Sequence, residues 1–181
     1  MTTYVVAMRV FLMAVALAVT ATAWSQPASA AALVYAETPA PGDIPDTQAF
    51  VTFAGHGYSV LVPEGWARTQ RGSAVTFRSN ANVEFIEVGP AGKNEDLRVR
   101  YHPVGVLHLT KNARLGGEPA ALFTFRSQSA RDPVTGKSIE LENQLYSAVH
   151  NGARATLLLS APAGADNADQ WKKIAQSFRW K

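Results

Sequence analysis

Residues 50–66, with the sequence FVTFAGHGYSVLVPEGW, decide the fold of this chain. Apolar side chains recur with a period of two on both sides of the Gly-His-Gly turn at 55–57, which is typical of two β-strands. The glycines permit the positive φ angles that a two-strand reversal needs. Pro63 cannot donate a backbone hydrogen bond to a sheet, so the second strand ends there. Trp66 is then expected to cover one end of the core.

The composition is that of one folded domain. The chain has 181 residues, of which 47% are hydrophobic and 17% are charged, as in ordinary globular proteins. It contains no cysteine, so disulfides, thiolate metal sites and an acylated cysteine anchor are excluded. The net charge is +3, of which Arg9 supplies one unit before Ala31. A balance this weak, with no concentrated basic stripe, argues against a nucleic-acid partner.

Residues 1–30 resemble a secretory signal peptide. Arg9 precedes an uncharged apolar run at 10–23, and the segment ends in the small-x-small pattern of Ala28 to Ala30. We therefore predict cleavage after Ala30 and a secreted, extracytoplasmic protein. The apolar run has about 14 residues, short of the roughly 20 that span a bilayer. An uncleaved anchor is the alternative, and Met8 is an alternative start that would place Arg9 next to it.

Residues 31–48 are rich in proline and show neither helical nor strand periodicity. This pattern predicts a flexible arm in front of a single domain at residues 49–181. Asp43 and Asp46 lie in the arm and are interpreted as solvated charge rather than as a metal pair, because hard cations need several converging oxygens.

Further strands follow the first hairpin. In the segment 82–88, Val83 and Phe85 alternate with Glu84 and Ile86, and the acidic side chains are expected to face water. Turns are expected near residues 112–117 and in a longer polar loop that contains Asp132 and Pro133. The predicted strands cover residues 74–78, 82–88, 104–109, 120–126, 141–149 and 155–159, with at most one short helical turn at 93–99.

The clearest hairpin signal is Asn-Gly at 151–152. This dipeptide suits the type I′ turn that matches strand twist. A turn there pairs Tyr146 with Leu157 and Ala148 with Ala155, and it leaves Leu145, Val149 and Leu158 on the other face of the sheet.

A helix is predicted at the C-terminus. Asp166 and Asn167 supply a side-chain cap and negative charge at its start. Its apolar residues recur at i, i+3, i+4 and i+7 and form one stripe that should close the core, with Lys172, Lys173 and Gln176 facing out. The stripe consists of Trp171, Ile174, Ala175 and Phe178. Trp180 has no role in this pattern.

No residue set predicts a catalytic, cofactor or metal site. The four histidines, His56, His102, His108 and His150, have no helical ligand spacing and sit beside turns or strand ends. Glu140 and Glu142 share one face of a strand, and a partner such as Arg126 or Arg131 across the hairpin explains them as a surface pair. General acid–base catalysis of glycoside hydrolysis would instead require that Glu140 and Glu142 lie in a cleft. No nucleophile elbow or phosphate-binding glycine loop is present.

Two segments resemble one family. Residues 58–66, YSVLVPEGW, and the closing pattern Trp171-x-x-Ile174-x-x-Ser177-Phe178-Arg179 are similar to the PsbP-like superfamily. Its namesake is an extrinsic subunit of photosystem II, and it includes a Ran-binding nuclear import factor and exported bacterial proteins of unknown role. The resemblance implies an antiparallel sheet with helices packed on its faces. It also implies a longer helix where this chain has only residues 93–99, and no functional residue of the family has a match here.

The sequence as a whole predicts an α+β fold, with an antiparallel sheet of about six to eight strands and a C-terminal helix packed across it. We expect an exported, monomeric, non-catalytic binding or accessory domain of the cell envelope, without cofactor or membrane span after cleavage. Its partner would be an envelope protein or a small apolar ligand, and an outward apolar groove at the missing helix would favour the ligand. The alternative is an envelope hydrolase, which two or more of Glu140, Glu142 and the histidines in one pocket would favour. A photosystem accessory protein is a third reading.

Overall fold

The computed structural model of the chain describes residues 41–92 and 97–181, with only the backbone at 97 and 98. The predicted signal peptide and residues 31–40 of the predicted arm lie outside the described residues. Within the described ranges no helix is long and apolar enough to cross a membrane. The elements are β1 (Phe50–Gly55), β2 (Tyr58–Pro63), β3 (Ala67–Arg71), β4 (Ala74–Ser79), β5 (Asn82–Pro90), α1 (Leu97–Tyr101), β6 (Val104–Leu115), β7 (Glu118–Gln128), β8 (Glu140–His150), β9 (Ala153–Pro162), α2 (Ala168–Ser177) and β10 (Arg179–Trp180).

Seven strands form one antiparallel sheet in the order β3-β4-β5-β9-β8-β7-β6. The β8–β9 hairpin has the predicted register, because Tyr146 pairs with Leu157 and Ala148 with Ala155. Asn151 has a φ of 47°, which the type I′ turn requires. The Asn-Gly signal therefore set the alignment of the two central strands correctly.

The opening hairpin belongs to a second, three-stranded sheet with the order β1-β2-β10. Strand β10 follows α2 directly and pairs with β2, so that Arg179 lies opposite Ser59 and Trp180 opposite Tyr58. The last residues of the chain thus complete a sheet that its first strands began. Trp180 owes its position to this pairing.

Helix α2 closes the core. All four residues of the predicted stripe, Trp171, Ile174, Ala175 and Phe178, are buried. The ring of Phe178 stacks on Tyr58 of β2 with 5.7 Å between centroids and 12° between planes. Burying one such aliphatic or aromatic side chain contributes about 1.5 to 3 kcal/mol. The predicted α+β class, with an antiparallel sheet and a C-terminal helix across it, is confirmed.

The end of the predicted arm is packed against the domain. Ile44 is 3% exposed, and its backbone N–H donates to Oδ1 of Asn167 at 2.6 Å. Asn167 makes no capping hydrogen bond to α2, because its side chain instead bonds to Ile44, Gly42 and Asn82. The expectation of a side-chain cap is therefore wrong. Residues 41–48 of the predicted arm therefore contact the domain through Ile44.

Two further differences concern strands. The polar segment ARTQR forms β3, which pairs with β4 although all five of its residues are exposed. Strand β6 continues to Leu115, through most of the segment predicted as a turn, and the reversal occurs at Gly116 and Gly117. The irregular pairing of β6 with β7, which shifts register twice, interrupts the alternation by which a strand is recognised in the sequence.

The turn at Gly116 and Gly117 lies against the C-terminal end of the closing helix. Both glycines have positive φ, 59° and 93°. The Gly116 N–H donates to the carbonyl of Ala175 in α2 at 2.9 Å, and a Cβ at Gly116 would overlap the backbone carbonyl of Phe178. A Cβ at Gly117 would meet nothing within 4 Å.

We expect Gly116→Ala to lower the free energy of unfolding by more than about 4 kcal/mol, because backbone overlap adds to left-handed strain. Gly117→Ala carries the strain alone and should cost about 1 to 2 kcal/mol. Urea denaturation of both variants measures the difference. Equal losses would show that the overlap with Phe178 does not limit the fold.

Candidate functional site

The seven-stranded sheet has an outer face that the core does not use. Tyr146 and Leu157 belong to the core, so their neighbours Leu145 and Leu158 point to the opposite side of the sheet. Part of this outer face lies under the short helix α1. The Tyr101 ring lies 6.1 Å from that of Phe125, which joins α1 to β7.

A cavity of about 830 Å³ lies on this outer face. Its volume falls within the roughly 300–1,000 Å³ typical of small-molecule sites. Leu109, Ala121, Phe123 and Leu145 from three adjacent strands provide an apolar floor. The other described residues that line it are polar, charged or belong to the end of β5 and the loop after it: Ser73, Glu87, Gly89, Pro90, Gly92, Arg100, Tyr101, Lys111, Ser147, Arg154 and Thr156.

Polar contacts hold the walls of the cavity. Nη2 of Arg100 lies 2.7 Å from Oε2 of Glu87, and the guanidinium lies 5.5 Å from the Phe85 ring centroid. These contacts fasten α1 to β5. Nη2 of Arg154 donates to the Gly92 carbonyl at 3.3 Å, which fastens the loop after β5. The described lining contains three basic side chains and one acidic one, so its charge is positive.

The paired glutamates form the predicted surface ion pairs. Arg126 donates from Nη1 to Oε1 of Glu140 at 2.6 Å and from Nη2 to Oε1 of Glu142 at 3.1 Å. All three side chains are exposed by 40% or more, so these pairs contribute little to stability. One guanidinium thus engages both carboxylates that a glycosidase mechanism would need.

The histidines are dispersed. His150 stacks on Trp180 with 5.5 Å between centroids, whereas His56 and His102 are exposed in or beside turns. His108 and Glu142 both line a second cavity of about 480 Å³. No hydrogen bond joins these two side chains among the described residues. In the same part of the chain, no three acidic or histidine side chains lie close enough to hold a metal ion.

Asp43 and Asp46 have structural partners rather than being merely solvated. Oδ1 of Asp43 accepts from the Asp166 backbone N–H at 2.9 Å. Oδ1 of Asp46 accepts from Nε2 of Gln170 at 2.9 Å. The two carboxylates hold residues 41–48 against the start of α2.

Glu84 contradicts the expectation that the acidic residues of β5 face water. It is fully buried, with 0% exposure, and neither carboxyl oxygen has a hydrogen-bond partner among the described residues. Burial raises its pKa well above the ordinary 4.5. The buried Tyr58 hydroxyl also lacks a partner there. Burial, and then the charge of Glu84, raise the pKa of Tyr58 to about 12. The sequence did contain the signal, because Glu84 has the same parity in the strand as the core residue Ile86.

Comparison with known proteins gives structural matches alone. No protein-family model and no curated protein matches the chain. The solution structure of cyanobacterial PsbP (CyanoP) from Synechocystis sp. PCC 6803 is similar over 77% of this chain and 98% of that chain, at 13% identity and a TM-score of 0.47. A crystal structure from Bacteroides thetaiotaomicron VPI-5482 is similar over 69% of this chain, at 11% identity and a TM-score of 0.45. This chain spans 45% of that second protein.

The name of the CyanoP structure includes PsbP. The PsbP-like superfamily is the family to which residues 58–66 and 171–179 are similar. TM-scores of 0.45 and 0.47 do not support an inference about function. The function of the chain must therefore be argued from its own residues. Among the described residues, the outer-face cavity combines an apolar floor with a positively charged lining.

The burial of Glu84 should make the free energy of unfolding depend on pH. Its pKa is raised in the folded protein above the ordinary 4.5, so folding favours the protonated form. The stability that Glu84 contributes is fully present below about pH 4.5 and falls as the pH rises toward the folded pKa, because the unfolded chain loses the proton first. Within that window, Glu84→Gln should gain about 1.4 kcal/mol of unfolding free energy over the native chain per pH unit. Urea denaturation at several pH values measures the gain.

Glu64→Gln is the matched control, since Glu64 is exposed. It should change the unfolding free energy by less than about 0.5 kcal/mol at each pH. A gain from Glu84→Gln that stayed constant with pH would show that Glu84 does not release its proton differently in the two states.

Proposed function

We propose that this protein is an exported, non-catalytic binding domain that holds a small ligand in the outer-face cavity. The observation that carries the proposal is the cavity itself, with an apolar floor and the described helix α1, Leu97–Tyr101, beside it. The resemblance to PsbP-like proteins implies a longer helix at this place. The floor includes the apolar side chains of Leu109, Ala121 and Phe123, and burying such surface is the main driving force of small-ligand binding.

The floor is built on paired strands in the middle of the sheet. Leu145 is fully buried and lies on β8, a central strand that pairs along its length with β7 and β9. The paired strands hold the floor side chains in place, and Leu109, at 47% exposure, is open to contact with a ligand. Preorganisation of this kind lowers the entropy cost of binding.

Export is part of the proposal and rests on the sequence of residues 1–30. A charged start, an uncharged apolar run and a small-x-small end support cleavage by a signal peptidase. The protein recovered from outside the cytoplasm should begin at Ala31, as N-terminal sequencing or intact mass would show. A recovered protein that keeps residues 10–23 would support the anchor instead.

A hydrolase is the second candidate, and one observation favours it: His108 and Glu142 line the same cavity. An acid–base pair must lie within hydrogen-bond reach of its target and keep its charge free for that work. Glu142 is engaged by Arg126 at 3.1 Å, which weakens this candidate. Turnover of an ester or glycoside that depends on both His108 and Glu142 would establish hydrolysis over binding.

Filling the cavity tests the binding function. Ser147 lines it from β8, and Ser147→Phe would occupy the space above the floor. We expect the fluorescence increase of the neutral apolar dye Nile red to saturate with the native protein, and its affinity to fall by about tenfold or more in the variant. The reason is that an aromatic side chain replaces the apolar contact area that a ligand would bury.

Thr52→Phe is the control, since Thr52 is exposed on β1 in the other sheet. It adds an aromatic ring of the same size and should leave dye binding unchanged. Thermal unfolding of both variants verifies that they are folded. Equal dye binding by folded Ser147→Phe and the native protein would place any apolar ligand elsewhere and refute the proposed site.

A further inference from the structure

We propose that the ligand is an amphipathic acid, with its apolar part on the floor of the outer-face cavity and its anionic group toward the basic rim. This inference rests on the proposed function and adds the chemical class of the ligand. It follows from how strand register sorts apolar and polar side chains into rows across the outer face.

The apolar row crosses five strands. Leu109 pairs with Phe123, Phe123 with Leu145, Leu145 with Leu158, and Leu158 with Phe85. Because paired residues on neighbouring strands lie side by side, these five side chains form one continuous stripe, at about 4.8 Å per strand. Arg100 lies over the Phe85 end, whereas Leu109, Phe123 and Leu145 line the cavity.

The next rows along the strands are polar. Ser147 pairs with Ala121 on one side and with Thr156 on the other, and Thr156 pairs with Glu87. Arg154 follows one step further along β9 on the same face. Each step of two residues covers about 6.7 Å, so a ligand of modest length reaches from the apolar stripe to the hydroxyl and guanidinium groups.

The charge of the rim selects an anion. Arg100, Lys111 and Arg154 line the cavity with Glu87 as the one acidic residue of the described lining, and Glu87 is paired with Arg100. Lys111 lies two residues after Leu109 on β6 and lines the same cavity. An anionic group near these side chains gains Coulomb energy and charge-assisted hydrogen bonds, which a neutral group of the same size does not.

Octanoate and octanol test the class of ligand, because they share an apolar chain and differ in the charged group. We expect isothermal titration of the purified protein at low salt to show octanoate binding about tenfold more tightly than octanol. The difference should shrink at high salt as the rim is screened. Acetate, which has the charge without the chain, should bind far more weakly than octanoate.

Lys111→Gln locates the anionic group. We expect it to weaken octanoate binding by about fivefold, a fold-change typical of a partly exposed charge pair, and to leave octanol binding unchanged. Lys172→Gln is the matched control, since Lys172 is exposed on α2. It removes the same charge away from the cavity and should alter neither affinity.

The outcomes separate the inference from the proposed function. Equal binding of octanoate and octanol overturns the amphipathic acid while the binding function stands. Acetate binding as tight as octanoate binding shows a simple anion site and also overturns it. A loss of both affinities in Lys111→Gln shows an effect on cavity shape and overturns the role of this charge. Absence of octanoate, octanol and Nile red binding refutes both the inference and the proposed function.

Discussion

The stack of Phe178 on Tyr58 is the contact on which the rest of the fold depends. It joins the end of α2 to the opening hairpin and allows β10 to add to β2. The surroundings of both rings require glycine: a Cβ at Gly55 would overlap the Tyr58 ring, and one at Gly116 would overlap the Phe178 carbonyl. The chain thus closes through contacts between residues more than one hundred positions apart. Such contacts contribute cooperativity because none of them forms until the ends of the domain have met.

Closing the inner face in this way buries a carboxyl group. Glu84 lies on the core face of β5, opposite Phe77 on one side and Leu159 on the other. A charge at this position costs far more than a neutral carboxyl group, so folding favours the protonated form of Glu84. An ionised Glu84 therefore lowers the stability of the fold. It does not act on the side chains that line the cavity, because they lie on the opposite face of the sheet.

Regular features of the sequence predicted the framework well. The Asn-Gly turn aligns two central strands, and the 3.6-residue stripe from Trp171 to Phe178 identifies the closing helix, because both signals are local. Strand β3 was missed because ARTQR is polar and exposed at the sheet edge. The packing of Ile44 against Asn167 was missed because it joins residues 123 positions apart.

The candidate site could be predicted only as an outward apolar surface at a shortened helix. Its residues come from β5 and the loop after it, from β6, β7, β8, β9 and α1, and from the turn before β4. The register of the strands brings them into one place. Leu145 and Leu158 were recognised as belonging to the face opposite the core, yet the basic residues beside them were not. Lys111 lies just before the segment that the sequence predicted as a turn. Arg154 follows the Asn-Gly turn, where an exposed basic side chain is common and does not indicate a binding site.

The two faces of the large sheet therefore meet different demands. Every inner-face position near Tyr58 and Phe178 is committed to packing, and a substitution there acts first on stability. On the outer face, Lys111 and Ser147 can change without disturbing the core, because the sheet beneath them is held from its other side. A binding site on this face can vary in charge and shape while the fold stays the same, which is how one framework comes to serve different ligands.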